Sequence, residues 1–406
     1  MKYFPKASLI LLFSVIAIFF FSCTTQEKES YVVMLSMDGT RWDYPERANT
    51  PNLDAIAENG VKAEYVIPAF PTKTFPNHYT MATGLYPNNH GIVDNSFYCP
   101  DLELRYSIGN REAVENKDFY FGEPIWVTAE KQGVTAASYF WVGSEAPVKD
   151  IQPTYWKSYD PSTSFASRID SVIYWLSLPE IERPRLVMLY FDEPDGKGHK
   201  AGPDSKEIDV LMNHLDSLVG VLHKGLSKLP IAGNINLIVT SDHGMTAVSA
   251  DRYVNLLDHI DRSWIKYYQG GNPMYSLEME ENMTDSVYNI LKEVEHISVW
   301  KKDEIPERLN YGSNKRIKDI VVLADSSWSV GIGEAREDFY AGAHGWDNAN
   351  KDMHTIFYAT GPDFKENYTQ KAFELVDLYP LIARILKLEP AEVDGKIERV
   401  ETMLKK

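Results

Sequence analysis

Three apolar runs of strand length mark the chain, at 31–37 (YVVMLSM), 185–191 (RLVMLYF) and 235–240 (INLIVT). They are apolar at nearly every position rather than at alternate ones, so they read as buried parallel strands covered on both faces. Each ends in a polar cluster: Asp38-Gly39-Thr40, Asp192-Glu193-Pro194-Asp195 and Ser241-Asp242-His243-Gly244. Apolar residues at helical spacing predict helices over 51–60, 124–133, 162–178, 204–229 and 374–386, with Gly60 as a helix stop. Further strands are predicted at 134–141 and 354–360. Strands alternating with helices imply an α/β fold, a mostly parallel central sheet with helices on both faces. Ligands of such sheets bind outside the strands' carboxyl ends, so the polar clusters should converge. Residues 265–332 mix short strands with helical pieces near 284–294 and 305–309, and read as a small α+β insertion.

The stretch 71–95, PTKTFPNHYTMATGLYPNNHGIVDN, predicts a helix with Pro76 at its first position and Thr74 just outside it. Free N–H groups and the dipole make such a helix start suited to a phosphoryl group. Threonine is a weak nucleophile and needs a base or a metal to activate it.

The N-terminus changes the picture of where the chain works. Lys2 and Lys6 precede a short apolar core at 7–21 that ends in Phe20-Phe21-Ser22-Cys23. This resembles a bacterial lipoprotein box, although Phe20 stands where leucine is usual; a plain secretory signal or an uncleaved anchor is the alternative. The expected organisation is a signal peptide at 1–22, lipidation at Cys23, a tether at 23–30 and a catalytic domain at 31–406. The protein is then exported and lipid-anchored to the cell envelope. Only Cys99 remains after that, and one cysteine makes no intrachain disulfide.

With 44% hydrophobic and 12% aromatic residues, wholesale disorder is excluded. A net charge of −17 over 406 residues argues against a nucleic-acid polymer as partner. A small phosphate ester remains possible where metals reverse the local charge. The candidate ligands are Asp38, Asp195, His199, Asp242, His243 and His344. Oxygen and imidazole without thiolate suit zinc, though manganese or iron would accept the same set. Two groups of three leave open positions, and two metals can hold both oxygens of an in-line displacement. Thr74 fits as an oxygen ligand of one of them. Each piece has a plainer reading: Asp38-Gly39 as a turn, Asp242-His243 as a cap with a packed histidine. The glycines between Asp195 and His199 read as a loop, while His78 and His90 read as residues that shape the loops around Thr74.

The set SMDGTRWDY, the 71–95 stretch, EPDGKGHKAGP, SDHGM and GAHGWDN resembles the nucleotide pyrophosphatase/phosphodiesterase family of the alkaline phosphatase superfamily. The resemblance implies an alkaline-phosphatase-like fold with two zinc ions and Thr74 as the nucleophile. It places Asp38, Asp242 and His243 on one zinc, beside Thr74, and Asp195, His199 and His344 on the other. Asn95 and the Phe75 backbone N–H would hold a phosphate oxygen, and a phospho-threonine intermediate would release nucleoside 5′-monophosphates. Residues 141–160, WVGSEAPVKDIQPTYWKSYD, are similar to the family's nucleoside pocket. Tyr159 would face Phe75 across the base, with Trp141, Glu145 and Lys73 nearby. The family's base-contacting lysine has no clear match here, Arg111 and Lys117 being the nearest cations. Cys99-Pro100-Asp101 does not match the cysteine motif of sulfatases. The expected partner is a small nucleotide or phosphodiester, and a monomer is expected. A choline- or glycerophosphodiesterase or phospholipase-type enzyme is the alternative on the same metals; a phosphate monoesterase is a third. A lipid-anchored binding protein that has lost catalysis is the reading from another class.

Overall fold

The computed structural model describes residues 29–335 and 339–406. The expected signal peptide, lipoprotein box and lipidation at Cys23 lie outside the described residues. Among the described residues no helix is long and apolar enough to cross a membrane.

The three apolar runs lie side by side in an eight-stranded sheet. In chain order its strands are β1 (Tyr31–Met37), β2 (Gly60–Ala63), β3 (Ala136–Tyr139), β4 (Tyr155–Lys157), β5 (Leu186–Phe191), β6 (Ile235–Thr240), β7 (Phe357–Thr360) and β8 (Tyr368–Gln370). They are arranged β8-β2-β7-β6-β1-β5-β3-β4. Only β7 runs against its neighbours; every other adjacent pair is parallel. The α/β expectation is met.

Period-two geometry explains why the runs are apolar throughout. Val33, Leu35 and Met37 of β1 point into one core with Val187, Leu189 and Val239. Val32 and Met34 point into the other, with Leu186, Met188 and Ile238. The first core is closed by helices Pro51–Glu58, Phe165–Ser177 and Lys206–Leu226, the second by Thr74–Thr83, Ile125–Lys131 and Leu378–Leu386. Lys206–Leu226 buries Ile208, Met212, Leu215, Val219, Leu222 and Leu226, one stripe at alternating spacings of four and three.

Gly60 is a correction. It does not merely stop a helix but opens β2, where a Cβ would lie 2.1 Å from the Ala359 carbonyl of β7. Close backbone approach, rather than turn geometry, demands glycine there. The predicted helix over 374–386 is a 3-10 turn, Leu375–Asp377, followed by Leu378–Leu386.

The insertion carries a four-stranded antiparallel sheet ordered Ile265–Gly271, Met274–Met279, Ile320–Ala324, Ile297–Lys301. Ile320 and Val322 pack under its helix Thr284–Leu291, through Val287 and Leu291. Their neighbours Val321 and Leu323 join the main core instead. One strand thus belongs to two cores, which fixes the insertion against the main sheet.

Candidate active site

β5, β1 and β6 are adjacent and parallel, so their carboxyl ends share one edge. The loops that follow are stitched together by hydrogen bonds from backbone N–H groups. Asp195 N–H donates to the Asp38 carbonyl at 3.0 Å, Gly39 N–H to Asp242 Oδ1 at 3.1 Å, and Thr40 N–H to Ser241 Oγ at 2.9 Å. Gly39 turns at φ +70°, and a Cβ there would lie 3.0 Å from the Asp195 Cα. Three clusters distant in sequence therefore meet.

His243 Nε2 lies at the centre, 3.3 Å from Asp38 Oδ1, 3.2 Å from Asp242 Oδ2 and 3.1 Å from Thr74 Oγ1. Asp195 Oδ1 is 3.4 Å from His199 Nε2 and 3.6 Å from His344 Nε2. The His243 and His344 rings stack at 3.6 Å between centroids, so the two groups adjoin. Asp38 Oδ1, Asp195 Oδ1 and Asp242 Oδ2 are buried without a hydrogen-bond donor. Buried carboxylate oxygens are costly unless a donor or a cation meets them. The histidines complement them. Nδ1 of His199, His243 and His344 each faces a backbone carbonyl, of Gly342 (2.8 Å), Gly244 (2.8 Å) and Thr72 (3.0 Å). Those bonds fix the Nδ1–H tautomer and leave each Nε2 lone pair for a metal.

The electrostatics agree. Burial, then the charges of Asp242 and Asp195, push the Asp38 carboxyl well above its usual range. Burial also raises Asp195 against the pull of His199 and His243. At Asp242 burial acts upward too, but His243 and His78 outweigh it and hold the carboxyl low. Burial and its histidine neighbours push His344 far down, keeping it neutral, as a ligand must be. Carboxylates this close without a cation repel one another, so the residues present fit bound divalent metal.

Thr74 is the first residue of its helix, with Lys73 at the N-cap, rather than the residue before it. Pro76 is at the third position, still within the turn whose N–H groups have no intrahelical partner. A second correction concerns 195–199. The expected loop is a helix, Asp195–Ala201, which puts Asp195 and His199 on one face. Gly198 reflects packing: a Cβ there would press on Met245 Cε at 3.0 Å.

On the substrate side the expected residues divide. Phe75 N–H donates to Asn95 Oδ1 at 3.0 Å, which orients the Asn95 amide and engages an N–H expected to hold phosphate itself. Phe75 is half-buried and meets Tyr106 edge-on. Tyr159 is 38% exposed, rests on Phe140 and lies within the field of Asp38 and Asp192. Glu145 is buried, bonds the Tyr159 N–H at 3.2 Å and pairs with Arg111. Lys117 pairs with Asp150 on the surface instead. Two residues depart from expectation. Trp141 is 1% exposed with its Nε1–H on the His78 carbonyl, so it supports the nucleophile helix and offers no free face. Lys73 is buried in an ion pair with Asp94 at 2.9 Å and also reaches the Gly271 carbonyl, tying the Thr74 loop to the insertion.

Residues 32–347 match the family described as type I phosphodiesterase / nucleotide pyrophosphatase. The chain belongs to this family. It is 35% identical to human ectonucleotide pyrophosphatase/phosphodiesterase family member 5, over 93% of this chain and 79% of that protein. It is 36% identical to the venom phosphodiesterase CdcPDE of Crotalus durissus collilineatus, over 94% of this chain, but spans only 47% of the length of that relative. The solved structure of an inactive threonine-to-alanine variant of murine family member 5, in complex with AMP, superposes with a TM-score of 0.89 at 36% identity. The match covers 93% of this chain and 100% of that one.

One residue of this phosphodiesterase-family site escaped the sequence reading. Tyr190 O–H donates to Asp38 Oδ2 at 2.6 Å, which turns Oδ1 toward His243. Its hydroxyl inside an apolar strand was the available signal. His78 lies beside Asp38 and Asp242, close enough to group with them as a ligand. Both its nitrogens are engaged, however: Nε2 with Ser36 Oγ at 2.9 Å, Nδ1 with the Thr74 carbonyl at 3.0 Å. It braces the site, in keeping with the loop-shaping role expected of it.

Proposed function

We propose that the chain is a two-zinc hydrolase that cleaves phosphodiester and pyrophosphate bonds of nucleotides and releases nucleoside 5′-monophosphates. The observation that carries this reading is the cluster of three donor-less carboxylate oxygens and three Nε2 atoms, with Thr74 Oγ1 against His243 Nε2. Asp38, Asp242 and His243 would hold one zinc beside Thr74, and Asp195, His199 and His344 the other. When bound, zinc lowers the pKa of an attached hydroxyl and stabilises charge on phosphate oxygens. The rest falls to the chain's own groups. Thr74 Oγ attacks phosphorus, forming the Oγ–P bond as the bond to the leaving oxygen breaks. Asn95, held by Phe75 N–H, turns its amide hydrogens to a non-bridging oxygen. Water then cleaves the Oγ–P bond and restores the threonine. Phe75 and Tyr159 supply the aromatic faces for a base, and Arg111 the nearest cation. The murine relative's AMP complex, and its inactivation by a threonine-to-alanine change, support this assignment.

The test is a rate comparison on the purified soluble domain, using nitrophenyl esters of thymidine 5′-monophosphate, of phosphate and of phosphorylcholine. The nucleotide ester should be turned over fastest, and acid quenching should trap the thymidylyl group on Thr74. Faster turnover of the choline ester would overturn the substrate assignment while leaving the metals and Thr74 in place. We further propose a monomer lipid-anchored through Cys23. Cys23→Ala should free the protein from the membrane fraction or block its maturation, since acyl burial contributes about 0.8 kcal/mol per methylene. An unlipidated N-terminus on membrane-bound wild type would contradict it.

A further inference from the structure

Asp192 directly follows β5, on the sheet edge that carries Asp38, and stands three residues before Asp195. Its Oδ1 is buried 2.8 Å from Arg168 Nη1, an ion pair outside hydrogen-bond alignment. Arg168 is itself held on all sides. It lies between the rings of Phe140 and Phe165, at 4.9 and 4.8 Å, and donates to the Thr163 and Tyr190 carbonyls. The pair therefore fixes the carboxylate, yet the Asp192 side chain stays 32% exposed. With Oδ1 covered, the open side of the carboxylate is that of Oδ2.

This open side stands between two parts of the site. Phe140, on which Arg168 packs, is also the ring on which Tyr159 rests, at 5.2 Å. The charges agree with that placement. After burial, Asp192 is the first neighbour to raise the Tyr159 hydroxyl, ahead of Asp38, and beyond burial it adds to the rise of Asp195. Nearby acids are committed elsewhere: Glu193 Oε2 takes the Lys197 N–H at 2.9 Å, and Asp160 Oδ1 takes the Ser162 N–H at 2.9 Å.

In a nucleoside 5′-phosphate the pentose joins the base to phosphorus. With the base on Tyr159 and phosphorus at Thr74, the pentose passes the group that stands between them. An ionised carboxylate only accepts hydrogen bonds, so what it can take from a pentose is a hydroxyl hydrogen. The 2′-hydroxyl sits on the carbon next to the one that bears the base, on the Tyr159 side. We propose that Asp192 is a specificity-determining residue that accepts a hydrogen bond from the ribose 2′-hydroxyl, so that ribonucleotides are preferred to 2′-deoxyribonucleotides. This rests on the nucleotide reading above and adds which sugar the site selects.

The test compares the nitrophenyl esters of AMP and of 2′-deoxy-AMP, which share base, phosphorus and leaving group. Wild type should favour the ribonucleotide in kcat/KM by about tenfold, the value of one hydrogen bond to a charged, partly exposed group. Asp192→Ala should bring the ratio of the two values to about one. Asp192→Asn keeps the volume beside Arg168 and should lower the ratio part of the way, since a neutral acceptor is the weaker one. It decides the matter alone if the alanine variant, which unpairs Arg168, does not fold. Equal wild-type rates, or a preference for the deoxy ester, overturn the proposal. So does a ratio unmoved by the substitutions, including one reached by equal losses on both esters, since Asp192 would then act only through Arg168 or the metal ligands. Failure of wild type to hydrolyse either ester while it cleaves the phosphorylcholine ester would instead overturn the nucleotide reading itself, and this proposal with it.

Discussion

The six candidate metal-ligand residues and the candidate base-side residues sit on opposite kinds of support. Asp38, Asp242 and His243 follow directly from buried strands, and their loops bond to one another through backbone N–H groups. Each histidine is aimed by a carbonyl. On the base side, Tyr159 and Arg111 stand partly in solvent, tied mainly through Glu145. Groups proposed to meet phosphorus sit on the sheet edge, while groups proposed to accept the base sit on a more exposed loop. Rigidity is concentrated where position controls the rate.

The comparison breaks most readily at the rigid half. Thr74→Ala and His344→Ala should each lower kcat/KM on the order of a thousandfold or more, the first by removing the nucleophile and the second by weakening one metal. Steady-state kinetics on a nucleotide ester measure both. A loss under tenfold for His344→Ala would mean that its group does not hold a catalytic metal.

Next in size is Lys73. If it belongs to the rigid half, Lys73→Met strands Asp94 and should cost roughly 3–5 kcal/mol in denaturant unfolding. Were it a base contact, stability would hold and nucleotide preference would shift.

Tyr190→Phe sharpens the comparison within the rigid half. Losing the bond to Asp38 should weaken zinc binding by about 10–100-fold, as outer-shell changes typically do. Chelator competition reads this without reference to turnover, and unchanged affinity would assign Tyr190 to packing alone.

The smallest effect belongs to the loose half. Tyr159→Ala should reduce kcat/KM on nucleotide diesters by about five- to hundredfold, the value of one stacking face. Methyl nitrophenyl phosphate, which has no base, should be barely affected. Equal losses on the two would make Tyr159 structural.

This division also governs what could be read from the chain. Asp38, Asp242 and His243 were legible because a buried strand writes its end as an abrupt change from apolar to polar. The Asp195–Ala201 helix was not, because Gly198 serves packing against Met245 rather than a turn. Lys73 and Trp141 were assigned to the base pocket by resemblance, yet their partners Asp94 and His78 are set by tertiary contacts that no local pattern records. Tyr190 was hidden for the same reason. Its strand looks uniformly apolar, and only the register of β5 beside β1 brings its hydroxyl to Asp38.

The central claim is that this sheet edge holds two catalytic metals, and metal content measured alongside activity tests it most directly. Purified wild type should carry about two zinc ions per chain, the number a two-metal in-line site requires. Chelation should remove both together with all hydrolysis, and added zinc should restore them in parallel. Full activity in a preparation verified to be metal-free would contradict the account.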